Sequence, residues 1–116
     1  MENFTAETEI AGLGVNVPEW IAEDITVGTL QDIASSGCAS GAYMPAMYYG
    51  QAAETMHEHG NDVLNYIEQA TGESTPDLLA HIVKDGDSWA GIRCVILSYA
   101  VELWAGDALA QIGAEF

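Results

Sequence analysis

The stretch from Ser88 to Ile112 constrains this chain most. It is apolar on nearly every side of a helical projection, and its only charged residues are Arg93, Glu102 and Asp107. A helix of that kind is normally buried all round. About 20 apolar residues would also suffice to cross a bilayer, but three charges spread along the segment make that placement costly. The stretch therefore reads as a central core helix, capped by Asp87 or Ser88, with shorter helices wrapped around it.

The upstream residues supply those helices. Residues 1–17 read as an N-terminal arm, with Ile10 to Val17 as a short strand or an extended segment. Gly12 and Gly14 make no phosphate loop, because no strand–turn–helix context or third glycine follows. Pro18 suits a first helical residue, giving one or two turns to Asp24 with Trp20 and Ile21 inward. Thr26 caps a second helix from about Val27 to Ser35, ended by Gly37. Its Val27, Leu30, Ile33 and Ala34 follow helical spacing. Ser40 caps a third, which starts or kinks at Pro45 and runs to His59, with Gly60 as its stop. Asn61 caps a fourth from Asp62 to Ala70, stopped by Gly72. Thr75-Pro76-Asp77 opens a fifth, running through Leu78, Leu79, Ile82 and Val83 to Gly86. The expectation is an all-α, compact single-domain bundle of about six helices over residues 18–116, around the long apolar C-terminal helix. Gly91 and Gly106 inside that helix suggest close approach of a neighbour.

Charge is the outlying property. The 116 residues carry 18 acidic side chains against Lys84 and Arg93, a formal net charge of −16. Residues 1–36 hold −7, residues 37–75 hold −5 and residues 76–116 hold −4, so the surplus is spread along the chain. Such a field repels nucleic acid and anionic membrane, favours basic partners, and works against the compact state. An apolar fraction of 49% is nevertheless ample for a core. The N-terminus shows neither a basic region nor a long apolar run, so no signal peptide is expected and the reading is cytoplasmic. Cys38 and Cys94 set no disulfide framework and read as small buried apolar residues, although one bridge is possible.

Several constellations invite a chemical reading and lose it on spacing. His57-Glu58-His59 places its histidines two apart, whereas zinc-protease helices need them four apart on one face. A solvated helix end is the plainer reading, with protonation favoured by the helix dipole. Cys38 beside a helix start, with His57, His59 or His81 as base, would make a thiol nucleophile, but no cysteine-hydrolase pattern surrounds it. Tyr43, Met44, Met47, Tyr48, Tyr49 and Met56 read as core. Adjacent Tyr48 and Tyr49 cannot share a helix face, so one is a candidate interface anchor. No catalytic residue, metal ligand or cofactor is expected.

The carboxylates are placed unusually. Glu19 and Glu23 are four apart with Asp24 alongside; Glu54 and Glu58 are four apart with Asp62 following. Like charges at that spacing cost a few tenths of a kcal/mol per pair. A globule of this size, about 35 Å across, matches in length a duplex carrying about 20 charges. Spread evenly over about 6,000 Å², however, the charge is some threefold more dilute than duplex phosphate at about 110 Å² each. Mimicry of a polyanion requires the carboxylates gathered on one face, or along an edge shared by two subunits of a homodimer.

Gly37-Cys38-Ala39-Ser40-Gly41, Tyr48-Tyr49 and the run His59-Gly60-Asn61-Asp62-Val63-Leu64-Asn65-Tyr66-Ile67 resemble small acidic proteins encoded by phages and plasmids. The resemblance covers residues 27–70. Some small acidic proteins from such elements inhibit CRISPR surveillance complexes or restriction enzymes, which the resemblance extends here as an expectation. The partner would be a basic DNA- or RNA-binding protein of a bacterial defence system, met through Glu19, Glu23, Asp24, Asp32, Glu54, Glu58 and Asp62, with Tyr48 and Tyr49 as anchors. Two alternatives stand beside it: a non-catalytic interaction protein binding through the Tyr/Met patch, and a halophile-type acidic domain without a mimic role.

Overall fold

The computed structural model describes residues 7–37, 39, 43, 49–82 and 89–113, with the backbone alone for Tyr49, His81, Ile82, Trp89 and Ala90. The described part is all-α. A single 3-10 turn at Ala11–Leu13 precedes four helices: α1 (Val27–Ser36), α2 (Tyr49–Thr71), α3 (Thr75–Ile82) and α4 (Trp89–Ile112). The fold is elongated, 48 × 28 × 25 Å.

The C-terminal helix α4 is the organising element, as its composition implies. It packs against α1, α2 and α3. It buries Ile92, Cys94, Ile96, Leu97, Ala100, Val101, Trp104, Ala105, Ala108 and Leu109. Residues 91–112 are long and apolar enough to cross a membrane by length and composition; in this fold the segment is the central packing helix. One strip stays open, with Val95 at 44% exposure. Gly106 does not serve a close helix approach, since a Cβ there would meet nothing within 4 Å.

Helix α1 forms as its end signals dictate. The Thr26 hydroxyl accepts the Thr29 amide at the N-terminus. Gly37 closes the C-terminus in the left-handed conformation, φ +67°, and its amide returns to the Ile33 carbonyl. Val27, Leu30 and Ile33 are buried.

Two expectations about helix boundaries are corrected, which is why the described residues hold four helices rather than the larger number. First, Gly60 ends nothing: α2 runs unbroken from Tyr49 to Thr71. Ala52, Val63 and Ile67 are buried and Met56 is half-buried. Together with Gly60 these positions are spaced four, four, three and four, so the core-facing stripe stays in phase through the glycine. Burial of one continuous stripe outweighs the roughly 1 kcal/mol that glycine costs inside a helix. The stop comes at Gly72, φ +77°, as its position suggests. Second, Pro18–Asp24 forms two successive tight turns instead of a helix. Ile21 donates to the Pro18 carbonyl and Ile25 to the Ala22 carbonyl. The Ala22 amide, which a helix would have used, donates to the Tyr43 hydroxyl at 2.8 Å. Trp20 and Ile21 do face inward.

The described part of the N-terminal arm, residues 7–17, is docked and forms no strand; Ile10–Val17 holds the 3-10 turn Ala11–Leu13 instead of an extended segment. Glu9 and Thr26 make one isolated antiparallel bridge. The Ile10 amide donates to the Ile25 carbonyl and the Val27 amide to the Thr8 carbonyl. Gly14, φ +83°, turns the chain so that Ile10 and Val15 both enter the core.

Between α2 and α3 the connection is braced by one side chain. Glu68 accepts from both the amide and the hydroxyl of Thr75. Ser74 then caps α3, its hydroxyl accepting the Asp77 amide.

Candidate acidic cleft

The outward face of α2 is built from the same periodicity that builds its core face. Gln51, Glu54, His57, Glu58, Asn61, Asp62 and Asn65 are exposed. Glu54, Glu58 and Asp62 stand at i, i+4 and i+8, a carboxylate ridge about 12 Å long at 1.5 Å rise per residue. The Pro18–Ile25 turns lie against this face because their flanks are pinned, at Ile10–Ile25 on one side and Ala22–Tyr43 on the other. Trp20 packs on Tyr66 of α2 with ring centroids 5.3 Å apart. The Tyr66 hydroxyl donates to Asp107 of α4 at 2.6 Å. Burial, with the adjacent Asp107 carboxylate, pushes the Tyr66 phenol far up.

The result is a cleft of about 320 Å³ between the turns and α2. Its floor is Trp20, Ile21, Ala22 and Tyr43, and its acidic rim is Glu19, Glu54 and Glu58. A second groove of about 290 Å³ runs along α2 from Met56 to Asp62 and shares Glu58 and His59 with the first. His59 stands where the two meet. Its Nδ1 lies 3.9 Å from Glu19 Oε2 and its Nε2 3.7 Å from Glu58 Oε2. Tyr43 is buried, and burial pushes its phenol up, opposed by the Ala22 hydrogen bond and reinforced by the nearby Asp24 charge.

Of the nine contact residues expected from sequence, four assemble here: Glu19, Glu54, Glu58 and, on the adjoining groove, Asp62. Asp24 reaches the site through its field on Tyr43. Glu23 is exposed on the same turns but does not line the cleft, and exposed Asp32 belongs to α1. Tyr48, with Met44 and Met47, lies outside the described residues, and Tyr49 opens α2 with its side chain outside them. Tyr43 is 4% exposed, so it offers no docking surface.

Sequence reasoning read His59 as a solvated helix-end residue and missed its place in the cleft. Because α2 continues past Gly60, His57 and His59 sit mid-helix, not at a helix end, and the dipole argument for them falls away. His57 is exposed while His59 is half-buried against the turns, so the two do point to different sides. Among the described residues no group of three His, Cys, Asp or Glu side chains is disposed to hold a metal ion. Cys94 is buried, and Cys38 lies outside the described residues.

The surface as a whole is not polyanion-like. Its 6794 Å² shared among 16 net charges is about 420 Å² per charge, nearly four times sparser than duplex phosphate. Among the described residues, carboxylates gather on the cleft and the α2 ridge. The chain matches no protein-family model, no curated protein and no solved structure.

Proposed function

We propose that the protein is a non-enzymatic acidic inhibitor that binds a basic nucleic-acid-binding surface of a bacterial defence complex in the host cytoplasm. A CRISPR surveillance complex is the first choice and a restriction enzyme the second. The observation that carries this reading is the convergence of Glu19, Glu54 and Glu58 on one cleft, continued by Asp62 along α2. These carboxylates come from two separate parts of the chain, the 18–25 turns and α2, which buried Trp20, Ile21, Val63 and Ile67 tie to the core. They would take lysine or arginine side chains that otherwise contact phosphates. Like-charge crowding at i, i+4 lowers helix stability, a cost that a basic partner would relieve.

The test is competition. The purified protein should displace duplex DNA from the isolated complex, and its own affinity for the complex, measured without DNA, should fall steeply as salt is raised from about 50 to about 200 mM. Replacing Glu54 and Glu58 together by lysine should reduce displacement by at least tenfold. Affinity that ignores salt, together with displacement that ignores these two charges, would rule the mechanism out.

A further inference from the structure

Helix α4 is apolar nearly all round, yet its own chain leaves one side of it open. Val95, Tyr99, Leu103, Gly106 and Ala110 follow one another four, four, three and four residues apart. At about 100° per residue they share a sector of about 80°. Val95 and Ala110 are exposed, and Tyr99, Leu103 and Gly106 are half-buried. Val95 is the one exposed large hydrophobic among the described residues. This is the spacing of a helix–helix seam. The line carries no charge, in a chain of net charge −16. Glu102 borders it, but that carboxylate is half-buried and accepts the Ala39 amide of its own chain.

We propose that this strip of α4 is a seam on which a second copy of the chain docks antiparallel. The large side chains stand at one end of the strip and the small ones at the other. A two-fold axis between positions 102 and 103 turns that gradient into self-complementarity. Val95 then comes opposite the partner's Ala110, and Tyr99 opposite the partner's Gly106. A Cβ built on Gly106 meets nothing within 4 Å, so the monomer leaves the space that an incoming tyrosine ring requires. A parallel pair would set tyrosine on tyrosine and glycine on glycine. Charge favours the same arrangement. Arg93, exposed near the start of α4, comes beside the last turn of the partner's α4, the negative end of its dipole. Two copies this acidic repel one another, and the uncharged seam lets them touch without burying a free carboxylate. The strip is about 22 Å long and about 10 Å wide. Its footprint of roughly 220 Å² falls well short of the ~800 Å² per partner of a stable complex. The dimer is therefore weak and forms at high protein concentration. Salt screens the repulsion between copies, so it strengthens this contact while weakening the cleft's, and the seam stands independently of the cleft reading.

Sedimentation equilibrium of the full chain, from about 10 to about 500 µM in about 50 and about 500 mM salt, tests this. The mass should climb from 12.3 kDa toward twice that value with concentration, and further at the higher salt. Gly106→Leu fills the tyrosine's seat, and Val95→Glu sets a charge on the seam. Each should weaken dimerisation by about tenfold or more, with the circular dichroism unchanged. Ala110→Arg added to Val95→Glu places opposite charges face to face only in the antiparallel pair, and should recover much of the loss. A protein that stays monomeric throughout, a dimer that salt dissociates, or one that ignores both single substitutions would overturn the seam. No recovery in the double variant would overturn its antiparallel register. Flotation of a monomer with phosphatidylcholine vesicles, lost in Val95→Glu, would assign the strip to a bilayer instead.

Discussion

Helices α2 and α4 are nearly equal in length, 23 and 24 residues, and they pack against each other, yet they are stabilised differently. Helix α4 buries side chains around most of its circumference, so dispersion and the hydrophobic effect dominate its energetics. Helix α2 buries one stripe and presents the opposite face to water with three carboxylates in a row. The first helix holds the fold together; the second spends some of the resulting stability on a charged surface. Substitutions should therefore act on different quantities in the two.

The largest effect should come from α4. Leu97→Ala removes a fully buried side chain and should destabilise the fold by about 3 kcal/mol, read from the denaturant midpoint. A loss below about 1 kcal/mol would mean that α4 is not the centre of the core. Next comes Gly60→Ala in α2. An added Cβ meets only the flexible end of Met56 at 3.8 Å, so the variant should gain roughly 0.5–1 kcal/mol. A loss would indicate that α2 is broken at this glycine after all.

Glu102→Gln tests a carboxylate placed on the wrong helix of the pair. Burial raises the Glu102 carboxyl, opposed by the Ala39 amide that donates to it. The folded state therefore holds its proton more tightly than the unfolded chain, and this group's contribution declines as pH rises from the unfolded pKa through the folded one. Glutamine keeps an acceptor for Ala39 and cannot ionise. Its thermal midpoint should exceed the native one at pH 7, with the advantage vanishing below pH 4. The smallest effect belongs to Glu58→Gln on α2. It removes two like-charge i, i+4 neighbours and one His59 contact, and should shift stability by only a few tenths of a kcal/mol, while added salt brings the two proteins together.

Much of this was legible in the residues. Thr26 and Gly37 bracket α1 because a cap hydroxyl and a left-handed glycine are local requirements. The apolar girth of Ser88 to Ile112 announces a central helix because burial on all sides needs no knowledge of the neighbours. Gly60 misleads because its local preference opposes a stripe that only makes sense over four turns. Pro18 misleads because the Ala22 amide finds Tyr43, 21 residues away. The same division holds for the cleft. Glu54 and Glu58 share a face by arithmetic, whereas Asp62, expected beyond a stop at Gly60, joins them only because α2 runs on through the glycine. Glu19 and the bridging role of His59 depend on where tertiary contacts set the turns.

The pinning of Ile10 to Ile25 reaches further than the core. It works as a buckle for the whole 18–25 segment, and with it for Glu19. Trimming the chain past Ile10 would slacken that segment, separating Glu19 from α2 even in molecules whose helices stay intact. A truncated protein could then look well folded by circular dichroism and still have lost one wall of its binding cleft.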